Sequence, residues 1–78
     1  METKIRIVWQ SNITGFVGEG NLFDDNEQNR SNLKDWVDYA NTEHKELTHI
    51  IVREIKEGDS FSIERIYAPK EKINKLNI

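Results

Sequence analysis

Between Lys4 and Gln10 the chain alternates, with Ile5, Ile7 and Trp9 pointing one way and Arg6 and Val8 the other. That is the period of a half-buried strand. Ser11-Asn12-Ile13-Thr14-Gly15 supplies turn residues. A second alternating run follows, with Phe16, Gly18, Gly20 and Leu22 on one face and Val17, Glu19 and Asn21 on the other. Registered as a hairpin with Trp9 opposite Phe16, the runs bring Ile7 to Gly18, Ile5 to Gly20, Val8 to Val17 and Arg6 to Glu19. This register combines an aromatic pair on one face with an opposite-charge pair on the other, both favourable cross-strand neighbours.

The period then becomes helical. Leu33, Trp36, Val37 and Ala40 form one apolar stripe. Upstream, Asp24 and Asp25 are N-cap residue types with Glu27 and Gln28 at capping-box distance, and Ser31 offers a later start. The pattern predicts a helix over residues 26–43. Leu47 to Ile55 is the most apolar stretch, and its consecutive β-branched Ile50, Ile51 and Val52 signal a strand. Glu57-Gly58-Asp59 turns the chain. Phe61, Ile63, Arg65 and Tyr67 alternate with Ser62, Glu64 and Ile66, predicting a strand from Ser60 to Tyr67 that Pro69 ends.

The expected fold is α+β, a single ββαββ domain over residues 1–69. One helix packs on one face of a four-stranded, mainly antiparallel sheet. Residues 70–78 form a tail, either a short helical turn carrying Ile73 and Leu76 or disordered. Strand order is not contained in the pattern.

Composition narrows the picture. Seventy-eight residues make one domain with a small core. There is no Cys, so neither disulfides nor thiolate zinc sites reinforce it. Assembly with a second copy is the remaining way to bury more apolar surface. The first residues do not read as an export signal, and no apolar run approaches a membrane span, so the expectation is a soluble cytoplasmic protein. The sequons at Asn12 and Asn29 then count as chance matches. Eleven basic and fourteen acidic residues give a net charge of −3, and the two signs are interleaved. Generic nucleic-acid binding is disfavoured on that ground.

Candidate chemistry is sparse. Gly15-Phe16-Val17-Gly18-Glu19-Gly20 contains a G-x-G but lacks the spacing, the following helix N-terminus and the Lys-Ser/Thr pair of a phosphate-cradling loop. In a strand these glycines leave room for Trp36 or Tyr39, or for another backbone. His44 and His49, with Glu43 and Glu46 nearby, match no metal signature, and no cofactor is expected. No nucleophile elbow, H-E-x-x-H or Cys nucleophile is present, so no catalytic residue is assigned and a non-enzymatic role is expected. The acids around the helix are interrupted by Lys34 and Lys45, so they read as a solvated face and not as an imitation of a phosphate backbone.

The third strand is the most informative feature, because it carries apolar side chains on both faces while a single helix covers only one. The leading expectation is therefore a protein-binding module of accessory or inhibitor type, homodimeric, with Val8, Val17, Ile50 and Val52 as interface anchors. Ile73, Leu76 and Ile78 folding back over that face is the competing arrangement. A second reading is a binder of a small anionic, nucleotide-like ligand between subunits. Arg6, Trp9 and Arg53 would stack on or pair with it, and Gly18 and Gly20 would let it approach.

Overall fold

β1 (Glu2–Ser11), which contains the alternating run from Lys4 to Gln10, is the strand on which the sheet is assembled. The computed structural model describes residues 1–70. β1 is flanked on one edge by β2 (Val17–Glu19) and β3 (Phe23–Asp24), and on the other by β4 (Leu47–Glu57), which β5 (Ser60–Tyr67) extends. Every pairing is antiparallel. β1 and β4 pair from Glu2 opposite Lys56 to Ser11 opposite Leu47. The β4–β5 turn is two residues long, with Gly58 at φ 59° in its first central position, where a type II′ hairpin needs a positive φ.

The helix α1 spans Glu27–Glu43, within one residue of the sequence-based range. Its N-cap is Asn26, whose side chain accepts the Asn29 backbone N–H at 2.8 Å. Asp24, Asp25 and Ser31 therefore do not cap it. Asp25 is instead drawn into an ionic cluster beneath the first turn. Leu33, Val37 and Ala40 are buried, as expected, but Trp36 is 59% exposed. The buried face is the narrower i, i+4, i+7 stripe, and Trp36 stands beside it over a cleft at the sheet edge.

The first hairpin differs from the expected register. Trp9 lies opposite Gly18, Val8 opposite Glu19 and Gln10 opposite Val17, a slip of two residues. A slip of two keeps every side chain on its face, so the alternation alone does not distinguish the registers. The loop closes with Ser11 N–H donating to Phe16 O at 2.8 Å and Gly15 N–H to Ser11 O at 3.0 Å. Glu19 still reaches Arg6, now diagonally, as an ion pair. The second run also breaks after Glu19, and Phe23 rejoins β1 opposite Ile5.

Two apolar clusters result, one on each face of the sheet. Ile5, Leu33, Val37 and Ile51 fill the space under the helix, with Ile7, Ile66 and Tyr67 against them. Burying each such side chain contributes about 1.5–3 kcal/mol relative to leaving it exposed. Val8, Ile50 and Val52 form the second cluster, packed by Ala68. They are 8%, 0% and 5% exposed, which differs from the open apolar patch expected there. Ala68, the residue that follows β5, packs against this cluster. The expected covering by Ile73, Leu76 and Ile78, and the form of the tail from residue 71 onward, lie outside the described residues. Among the described residues no helix is long and apolar enough to cross a membrane.

Candidate functional site

The site begins at a glycine. Trp9 projects from the helix-facing side of β1, and its neighbour across the ladder, Gly18, has no side chain. The indole occupies the space a Cβ would take, with Cε2 and Nε1 closest. Leaning onto β2 in this way, Trp9 leaves a gap between the sheet edge and α1. The gap is a cleft of about 410 Å³ lined by Ile7, Trp9, Gly20, Asn21, Phe23, Leu33, Trp36 and His49. None of these carries a formal charge when His49 is neutral.

His49 is the polar member. It lies opposite Trp9 on β4 and is 5% exposed. Its ring centroid is 6.1 Å from that of Trp9 and 6.5 Å from that of Trp36, within the range of edge-on and tilted aromatic pairs. Asn41 of α1 holds it. The His49 backbone N–H donates to Asn41 Oδ1 at 2.7 Å, Asn41 Nδ2 donates to His49 O at 3.0 Å, and His49 Nδ1 stands 3.2 Å from the same Oδ1. β5 stops pairing with β4 at Ile51, so the amide of Asn41 takes the place of a neighbouring strand for His49. Buried backbone groups need such a substitute.

The arginines expected to meet Trp9 do not. Arg6 is on the opposite face of β1, where it pairs with Glu19 and with Glu54 at 3.2 Å. Arg53 is on the helix-facing side but farther along β4. It reaches Asp25 at 3.2 Å and Glu64 at 2.9 Å, and Asp25 also accepts from Arg30 Nε at 2.6 Å. The Asp25 side chain is 7% exposed. Its hydrogen bond from Arg30 holds the carboxyl below its ordinary value, against the opposing effect of burial, and Arg53 and a hydrogen bond from Thr3 add to the lowering. This cluster clamps the start of α1 to the sheet.

Of the five residues expected around an anionic ligand, the structure brings together Trp9 and Gly20. Gly18 is filled by the indole, and Arg6 and Arg53 are committed to acids on different faces. Of the expected interface residues, Val17 is 40% exposed. It lines a second groove of about 440 Å³ with Val8, Val52, Ile63 and Arg65, on the face away from the helix. His44 and His49 have ring centroids 6.5 Å apart. No group of three or more His, Cys, Asp or Glu that would hold a metal ion occurs among the described residues.

Phe23 and Asn41 were not singled out by the sequence, and Trp36 and His49 were not read there as walls of a cleft. Trp36 reads there as core because it falls at helical spacing from Leu33 and Ala40. Phe23 is one step outside the second alternating run, and His49 lies within the Leu47–Ile55 stretch, next to the β-branched residues that signal the strand. No family model matches the chain, and neither curated proteins nor solved structures give a significant match.

Proposed function

We propose that this chain is a non-enzymatic binding module that works through protein contacts, with the Trp9–Trp36–His49 cleft receiving an apolar side chain of a partner. The observation that carries this reading is the exposure of the aromatic wall. Trp36 is 59% exposed on the helix side of the cleft and Phe23 42% exposed across it, and Tyr39, on the helix but outside the lining, is 64% exposed. Large aromatic side chains on a partly open apolar surface are the residues that dominate protein interfaces. The cleft is bounded by rigid elements, since Trp9 is held by Gly18 and His49 by Asn41, which limits the ordering cost of binding. Asp35 beside Trp36 and the overall charge of −3 favour a partner segment with basic flanks.

A displayed-peptide library selected against the full chain tests this. Enrichment of peptides sharing one aromatic or large aliphatic anchor, with binding lost in Trp36→Ala, supports the reading. Selection of nothing, or of peptides indifferent to Trp36, overturns it.

A second reading rests on the cleft volume, which falls within the range of small-molecule sites. Because the lining is uncharged, the ligand would be neutral and planar rather than a nucleotide-like anion. Extra mass retained in native mass spectrometry, and lost in Trp36→Ala, would favour it over the peptide.

A further inference from the structure

We infer that β5 is a homodimerisation edge, on which a second copy of this chain adds its own β5 antiparallel to make one continuous sheet. The inference extends the reading of the chain as a protein-contact module but uses a surface separate from the cleft. β5 is the last strand in the sheet order and pairs only with β4 among the described residues. It is eight residues long, and its pairing with β4 is regular from Ser60 to Arg65, the register shift falling beyond Arg65, opposite Ile51/Val52; exposed edges are usually shorter, bulged or guarded by charge. The two-residue turn makes Glu57 and Ser60 the closing hydrogen-bonded pair. By alternation, the backbone groups of Phe61, Ile63 and Arg65 then point away from β4.

The side chains specify a register. A two-fold axis perpendicular to the sheet keeps the faces matched only when a residue sits opposite its own copy or an even number of positions away. Centring on Glu64 would oppose two carboxylates. Centring on Phe61 would set Asp59 against Ile63 and shorten the overlap, and centring on Ile63 would set Phe61 against Arg65. Centring on Ser62 opposes Phe61 with Ile63 twice and brings Arg65 toward Asp59 twice. Phe61 and Ile63 are 60% and 57% exposed, so this register covers both large apolar side chains of the edge and pairs opposite charges at its ends. Ile63 and Arg65 also line the groove with Val8, Val17 and Val52, whose apolar surface would continue across the dimer.

The absence of cysteine makes a direct test available. Ser62→Cys, Phe61→Cys and Ile63→Cys are introduced singly into the full chain and oxidised with copper phenanthroline. Sedimentation across a concentration series is run on wild type and Ile63→Lys, with circular dichroism to verify folding. The expected result is a wild-type dimer, weakened about tenfold or more by Ile63→Lys, and a covalent dimer that forms several-fold faster at position 62 than at 61 or 63. A chain that stays monomeric and fails to cross-link at 62 overturns the inference. So does a dimer that survives Ile63→Lys and shows no preference for position 62. None of these readouts involves a cleft partner, so failure here leaves the peptide-binding reading to its own test.

Discussion

Gly18 and Trp9 face each other across the β1–β2 ladder, and the indole lies where any side chain at position 18 would have to go. The glycine is required for space: its backbone is not among the positive-φ positions, which are Gly15 and Gly58. A methyl at 18 therefore pushes Trp9 out of its place, and Trp9 is a wall of the cleft. Gly18→Ala is expected to cost about 1–3 kcal/mol, as overpacking does, to change the tryptophan emission spectrum and to weaken cleft binding. Gly20→Ala is the comparison, since a Cβ there meets its nearest atom, Ile7 O, at 3.4 Å. Its denaturation midpoint should fall less.

Trp36→Ala separates function from stability. With its side chain largely exposed, its removal should change stability by about 0.5 kcal/mol or less while abolishing cleft binding. Chemical denaturation alongside a peptide-binding assay checks both. A loss of several kcal/mol would mean that Trp36 is part of the core after all.

Asn41→Ala removes the two side-chain hydrogen bonds to the His49 main chain. Losing a hydrogen bond to a buried group costs about 1–3 kcal/mol, so a domain of this size should lose several degrees to more than ten degrees in Tm. Hydrogen exchange at the His49 amide is the sharper readout. It should accelerate well beyond the change expected from global destabilisation.

Asp25→Asn tests the clamp beneath α1. The folded-state pKa of Asp25 is lowered from an ordinary value of 3.8, so its contribution is complete above that value and is lost as the pH falls through the folded value. At neutral pH the substitution should cost about 1.5–3 kcal/mol, the scale of hydrogen bonds to charged groups. The gap between wild type and variant should close in acid, below pH 3.8. Thermal melts from neutral pH down into the acid range check this, and a gap independent of pH would place the effect elsewhere.

Ile51→Ala opens the main core. Ile51 is 2% exposed and packs with Ile5, Leu33 and Val37, so the expected loss is about 2–5 kcal/mol. A chain of this length has a total stability of about 4–12 kcal/mol. A denaturation midpoint strongly reduced, or a chain unfolded at room temperature, is the expected outcome.

Periodicity by itself determined the ββαββ order, the helix to within a residue, and a last strand bounded by a glycine turn and a proline. These follow from local rules: alternation of period 2, a 3.6-residue stripe, and residues that stop each. The helix-facing core of Ile5, Leu33 and Val37 was legible for the same reason. Tertiary structure decided everything that depends on which equivalent option packs best. The hairpin slipped by two because faces are preserved and Trp9 fits over Gly18. Trp36 left the core because the buried face of α1 is narrower than its apolar stripe. Arg6 and Arg53 were placed on opposite faces by adjacent positions in the β1–β4 register, away from the uncharged cleft that Trp9 lines beside the helix. Val8, Ile50 and Val52 were brought together by the β1–β4 register, with Ala68 packed against them. Contacts of that kind join residues distant in sequence, and one chain's local pattern does not encode them.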